Sequence, residues 1–302
     1  MSALRVEQLS KRYGSSNVLH GVSLTVPSGS LFGLLGLNGA GKTTTLHCAL
    51  GLLRPTSGRC EILGVPASEI HRTRGRIGVL FDAPTNYSQL TVRENLELTC
   101  VMSGIRSGRM PADVERLVDL HRGADRRAKK LSFGMQRRLG IARALLGSPE
   151  LVIMDEPLSG LDAEGVDTVL DLARQLHREA GTTFVLLSHR LHELETIVTD
   201  VALVHEGRVV AAGPLASLLA AEQSRLLVRA DRPQEARIAL AACPEVERAE
   251  LEADGRIALA LRGEPSRVNR WLLGRGFDVH ELTPIKASLY EFFRKQTKRP
   301  AP

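Results

Sequence analysis

The stretch Gly36-Leu37-Asn38-Gly39-Ala40-Gly41-Lys42-Thr43 decides how the chain is read. It is a complete G-x-x-x-x-G-K-[ST] loop. The apolar run Leu31 to Leu35 stands before it, and a helix-like segment, Thr44 to Leu53, follows. That is the strand, loop and helix context the motif needs. Glycines let the backbone wrap closely, so that successive N–H groups point at phosphate oxygens. The helix behind them adds its positive end. Lys42 supplies a cation for the β- and γ-phosphates, and Thr43 offers a hydroxyl to Mg²⁺. The expected ligand is a nucleoside triphosphate, ATP with Mg²⁺, held by Gly36, Asn38, Gly39, Gly41, Lys42, Thr43 and Thr44.

A second signal is Leu151-Val152-Ile153-Met154-Asp155-Glu156, an apolar run that delivers two acids at a strand end. Asp155 can reach the metal shell, and Glu156 can polarise the attacking water. His189 follows another buried-looking run, Thr183 to Leu187, where an imidazole can hydrogen-bond the γ-phosphate. The catalytic candidates are therefore Glu156, His189 and Lys42, and the metal candidates Thr43 and Asp155. Tyr13 has two readings, a ring stacked on adenine and an ordinary packing residue.

Composition bounds the rest. The 302 residues are 43% hydrophobic, enough for a sizeable core and two domains. No apolar run reaches the length of a membrane span, and no charged-then-apolar leader opens the chain, so the expected location is cytoplasmic. Cys48, Cys60, Cys100 and Cys243 are scattered, which argues against a metal site or disulfide framework. The net charge of +6 fits a solvated basic face, and also a membrane or partner surface. With 4% aromatic residues, a base-stacking platform is not evident.

Taken in order, the chain alternates strands and helices as a mixed or parallel α/β sheet would. Val6 to Leu9 reads as a strand, Lys11 to Gly14 as a turn and Val18 to Val26 as a strand. Arg59 to Leu63 and Ile77 to Phe81 are further strands. A mostly helical insert runs from about 84 to 146. Strands return at Leu151 to Met154 and Thr183 to Leu187, around a helix from Glu164 to Ala180. His192 to Thr199 reads as helical, and Ala202 to His205 with Val209 to Ala212 as a hairpin. We divide the chain at 1–221 and 222–302. The second part reads β-α-β-β-α-β plus a helix, a small ferredoxin-like α+β domain. Its last helix presents Leu289, Phe292 and Phe293 to a protein interface, and Lys298 to Pro302 reads as a disordered tail.

The motif order resembles the ATP-binding-cassette ATPases, in particular the separate ATPase subunits of ABC-2-type transporters of the bacitracin- and lantibiotic-export branch. The resemblance spans about residues 3 to 219. It rests on the phosphate loop with Thr44, Leu131-Ser132-Phe133-Gly134-Met135-Gln136, Leu151 to Pro157, Ser159-Gly160-Leu161-Asp162, and His189. It implies a P-loop ABC ATPase core with a helical insert and a C-terminal accessory or dimerisation domain. It also implies a head-to-tail homodimer in which the phosphate loop of one copy faces Ser132 and Gly134 of the other across ATP. A separate multi-span permease would take up the force, with the ATPase peripheral on the inner face of the cell membrane. Nucleic acid is not an expected partner.

Two departures stand out. The family signature usually reads Leu-Ser-Gly-Gly-Gln; here Phe133 replaces the first Gly and Met135 the Gln. Both could pack against the sheet or a partner, or lower activity. Asp82 stands where most relatives carry a glutamine, and its carboxylate could still reach Mg²⁺ through water. Tyr87, Leu90 and Val92 either line a groove for the permease or pack internally. The alternative function is an ATPase of the same superfamily working on nucleic acid or ribosomes; one cassette and the lack of a long coiled-coil insertion argue against it. A non-catalytic module conflicts with intact Lys42, Asp155, Glu156 and His189.

Overall fold

The computed structural model describes residues 1–83, 85–220, 225–262, 264–285 and 288–298. The chain forms two compact units, residues 1–215 and 216–298. Of the tail read as Lys298 to Pro302, Lys298 belongs to the last helix and 299–302 lie outside the described residues, as does the junction at 221–224.

The first unit begins with a twelve-residue strand β1 (Ser2–Tyr13) paired antiparallel to β2 (Ser16–Pro27). Lys11 to Tyr13 belong to the strand and not to a turn: Lys11 pairs with Leu19 and Tyr13 with Ser16, which leaves the turn to Gly14, at φ 57°, and Ser15. β3 (Leu31–Leu35) leads into the phosphate loop and α1 (Lys42–Ala49), two residues earlier than the sequence pattern suggests. β4 (Ser57–Ile62) and a short β5 (Val65–Pro66) complete a four-stranded sheet of order β2-β1-β4-β5. β6 (Ile77–Leu80) belongs to another sheet.

α2 (Val92–Ser103), α3 (Pro111–Leu117) and α4 (Phe133–Leu145) form the helical stretch. α2 opens with a capping box, in which Thr91 accepts from the Glu94 N–H and Glu94 accepts from the Thr91 N–H, worth about 1 kcal/mol. β7 (Leu151–Asp155), α5 (Ala163–Ala180), β8 (Thr183–Ser188), α6 (Leu191–Glu195), β9 (Asp200–His205), β10 (Arg208–Pro214) and α7 (Leu215–Ala220) follow. α6 stops well before Thr199, whose hydroxyl instead serves the Leu31 backbone at the start of β3.

The single sheet expected from sequence is therefore two. The second has six strands in the order β10-β9-β3-β8-β7-β6, parallel except for β10. β3, β7 and β8 are buried along their whole length, as continuous apolar runs in a parallel sheet should be. α1 sits between the sheets: Leu46 and Ala49 share one core with Leu4 and Leu24 of the antiparallel sheet and with Leu34, Ile153 and Val185 of the parallel one. Burial on two sides fixes the helix that carries Lys42 and Thr43 with several kcal/mol of apolar contact, taking roughly 1.5–3 kcal/mol per buried Leu.

The second unit contains β11 (Arg225–Ala230), α8 (Pro233–Ala241), β12 (Val246–Leu251), β13 (Ile257–Leu261), α9 (Pro265–Leu273), β14 (Val279–Ile285) and α10 (Leu289–Lys298). Its antiparallel sheet runs β12-β13-β11-β14, the ferredoxin-like arrangement of a β-α-β-β-α-β order. Leu226, Val228, Leu240, Ile257, Val268 and Leu272 make its core. Leu289, Phe292 and Phe293 are buried by the chain itself.

Candidate active site

The phosphate loop runs from the C-terminal end of β3 to the N-terminus of α1. Gly41, the N-cap, has φ 102°, a conformation that costs any residue with a Cβ. A side chain at Gly36 would meet the Val204 carbonyl on β9. Leu37, Asn38 and Gly39 are exposed at the tip, and Gly39 has open space where a Cβ would stand. Lys42 is only 6% exposed. Its Nζ donates to the Gly36 carbonyl at 2.7 Å and the Leu37 carbonyl at 3.2 Å, and lies 3.9 Å from Glu156 Oε1. Burial pulls its pKa down, against the opposing pull of Glu156 and Asp155.

The parallel sheet brings the other candidates to the same edge. β7 is a neighbour of β8, which lies beside β3, so the ends of all three converge. The Thr43 hydroxyl donates to Asp155 Oδ2 at 2.9 Å. Asp155 is 1% exposed, and its Oδ1 is buried without a hydrogen-bond partner. Burial raises the Asp155 pKa, aided by the carboxylates of Glu156 and Asp82 and opposed by the Thr43 hydrogen bond and Lys42. A desolvated carboxylate with a free oxygen beside a hydroxyl is the donor set a hard divalent cation takes. The residues present fit Mg²⁺.

Glu156 follows with φ 48°, a left-handed backbone for a residue with a side chain. Its N–H still donates to the Leu187 carbonyl, at 2.9 Å. The turn aims its carboxylate at the end of β8. There Oε1 lies 2.9 Å from His189 Nδ1 and accepts from the His189 N–H, while Oε2 accepts from the Ser188 hydroxyl at 3.2 Å. Lys42, Thr43, Asp155, Glu156 and His189 thus form one connected group.

The remaining candidates fall into three places. Asp82, just beyond β6, has an exposed carboxylate 3.6 Å from Arg137 Nη2, and acts on Asp155 through space. Tyr13 ends β1 half exposed, with Lys11 Nζ 5.0 Å from its ring centre. Ser132 caps α4, its hydroxyl accepting from the Met135 N–H at 3.3 Å. Ser132, Gly134, Met135 and Arg138 line an open cleft with Gly160 and Asp162. Phe133 packs on Gly160, within the chain. Val92 is wholly buried, so it packs internally, whereas Tyr87 is partly exposed.

Sequence reading missed Ser188, Arg137 and Asn95. Asn95, fully buried on α2, binds the Tyr87 N–H and carbonyl and the Leu90 and Thr91 carbonyls. It fixes the segment that joins the catalytic edge to the helical stretch.

A phosphate loop, an acid pair at the end of the buried strand β7 and a helical stretch whose last helix starts at the Ser132 cap define a P-loop ATPase of the ATP-binding-cassette class. The family model described as ABC transporter matches residues 19–159. The bacitracin transport ATP-binding protein BcrA of Bacillus licheniformis is 35% identical over 297 residues, 97% of this chain and 96% of that protein. Nod factor export ATP-binding protein I of Paraburkholderia xenovorans is 34% identical over 268 residues, 87% of this chain and 88% of that protein. Among solved structures, the dimeric post-hydrolysis state of an ATP-binding cassette bound to ADP and Pi superposes with a TM-score of 0.64 and 25% identity, covering 70% of this chain and 98% of that one. The chain belongs to the ATP-binding subunits of ABC transporters. It binds and hydrolyses ATP, and the fold implies that it does so with Mg²⁺. Among the described residues no helix is long and apolar enough to cross a membrane.

Proposed function

We propose that this chain powers export through a separate multi-span permease, as a head-to-tail homodimer on the cytoplasmic face of the membrane, in the bacitracin- and lantibiotic-export branch. The observation that carries the catalytic part is the connected group at the strand ends, with Glu156 held between Lys42 and His189. Similarity to BcrA along nearly the whole chain, together with the export relative, supports the branch and the direction. The dimeric solved relative supports the pairing.

In this reading the backbone N–H groups of the phosphate loop and Lys42 bind the β- and γ-phosphates, and Tyr13 stacks on adenine. Thr43, Asp155 and Asp82 would hold Mg²⁺, which would supply charge stabilisation to the phosphates when bound. Glu156 accepts the proton of the water that attacks the γ-phosphorus, the bond to the β–γ bridging oxygen breaks, and ADP and phosphate leave. His189 orients Glu156 and contacts the γ-phosphate. Ser132 and Gly134 serve the ATP of the second copy. The C-terminal unit is an accessory or dimerisation domain.

Affinity purification of the tagged chain from gently solubilised membranes, followed by mass spectrometry, tests this. A multi-span protein recovered with two copies of the chain is expected. Recovery only with ribosomes or nucleic acid after crosslinking would reject it.

A further inference from the structure

The buried cation that the catalytic chemistry does not use is Arg137. It lies on α4 and is 3% exposed. Its Nη1 donates to the Phe81 carbonyl at 3.0 Å and the Asp82 carbonyl at 2.7 Å. Its Nη2 donates to the Asp155 carbonyl at 2.9 Å and to the Glu156 carbonyl. Each terminal nitrogen therefore spends both hydrogens on one strand end.

The location explains why those carbonyls need a partner. β6 and β7 pair in parallel from Ile77 with Leu151 to Leu80 with Met154, and there their mutual pairing ends. Phe81 and Asp82 continue one strand, Asp155 and Glu156 the other. The bond to the Asp155 carbonyl is buried and the other three are part-buried, where an unpaired acceptor is costly. A guanidinium is the one side chain with a planar fork and enough donors to bridge two backbones.

The register of α4 delivers it there. A side chain at Gly78 on β6 would meet the backbone of Ala144, and one at Gly140 would meet Leu80, so helix and strand touch closely at both glycines. Arg137, Gly140 and Ala144 share that helix face. The same helix starts at the Ser132 cap. Asn86 is tied to it too, through its Nδ2 and the Gln136 carbonyl at 2.8 Å.

We propose that Arg137 is a positioning residue, a clamp that holds Asp155 and Glu156 in register with the Asp82 segment and fastens both to the helix that Ser132 begins. It touches no reacting atom. It sets where the metal-holding and proton-accepting carboxylates stand, and any shift of α4 reaches them through one rigid group. The inference rests on the ATPase reading of the site.

Arg137→Lys tests it, since lysine keeps the charge but cannot fork between two strands. The expected result is a fall in kcat of about 10-fold or more and a comparable rise in the Mg²⁺ concentration needed for half-maximal rate, as for outer-shell partners of metal ligands. ATP affinity measured without Mg²⁺ should stay within about twofold, because the phosphate loop keeps its contacts. Unchanged kcat and Mg²⁺ dependence would overturn the proposal. So would an equal loss of metal-free ATP affinity, which marks general unfolding. Absence of turnover in the unaltered chain would instead strike the ATPase reading. A second measurement needs no variant: nitrogen-15 spectra of the unaltered protein should show separate, slowly exchanging Arg137 Nη protons. Averaged, fast-exchanging signals like those of surface arginines would contradict the clamp.

Discussion

The ring of Phe133 lies over Gly160, so closely that a Cβ on the glycine would run into it. Phe133 is one of the two residues that depart from the family signature, and Gly160 belongs to the Ser159 to Asp162 turn. Gly160 has φ 70°, so it carries both a steric and a conformational demand. Gly160→Ala should therefore cost about 2–4 kcal/mol, about 1–3 from overpacking and about 1 from the left-handed backbone. In a Phe133→Gly background only the conformational part remains, about 1 kcal/mol. Denaturant titration of the four proteins measures the coupling; strictly additive losses would mean the ring and the glycine are independent.

His189 meets Glu156 through both its ring and its backbone N–H. His189→Ala removes the ring contact and keeps the backbone one. Turnover should fall by roughly 10²–10⁴-fold, the usual range for a group in the proton-transfer network. Binding of a non-hydrolysable ATP analogue, followed by fluorescence, should change little.

Asn95 satisfies four backbone groups at the segment 87–91 while fully buried. Asn95→Ala leaves the Tyr87 N–H without its acceptor, whereas the Tyr87, Leu90 and Thr91 carbonyls keep the N–H groups of Leu90, Ala128 and residue 95, so the cost is about 1–3 kcal/mol. Hydrogen exchange should report loss of protection at the Tyr87 amide before any change in β3 or β8. Equal exposure of all three would show that Asn95 acts on the whole core.

Asp155 carries a buried charge with an unused oxygen. Its pKa is raised by burial above the ordinary carboxylate value of 3.8. The folded chain therefore holds that proton more tightly than the unfolded chain. The resulting stability is fully present below 3.8 and is lost as pH rises through the raised folded value. At neutral pH the ionised group is a net cost without bound metal. Asp155→Asn should raise the melting temperature of the nucleotide-free protein at neutral pH, flatten its acid-side pH dependence and abolish turnover. A lower melting temperature would mean that the charge is compensated within the protein.

Much of this architecture is legible from residues alone. β3, β7 and β8 are uninterrupted apolar runs because both faces of the strand are buried, and β12 and β13 flank an Asp-Gly turn. The phosphate loop and the acid pair are local in sequence, so their roles as a loop and a strand end read directly. Division into two sheets does not, because an apolar pattern says that a strand is buried and not which strand it pairs with. Lys11 to Tyr13 are polar or exposed and mimic a turn, although the ladder with β2 continues through them. Arg137 sits in the polar run Gln136-Arg137-Arg138, which does not by itself mark one arginine as buried. The signal that could have found it is its spacing from the small residues Gly140 and Ala144, which marks the side of α4 that approaches β6.

The most direct measurement is single-turnover hydrolysis of radiolabelled ATP by the unaltered chain and by Glu156→Gln. Glutamine keeps the size of the side chain and an acceptor for Ser188 and His189, and loses the base. Hydrolysis should drop by about 10²-fold or more while ATP remains bound, with ATP-dependent dimers accumulating on sizing columns. Hydrolysis at the unaltered rate in Glu156→Gln would contradict the assignment of the proton acceptor and, with it, the chemistry assigned to this site.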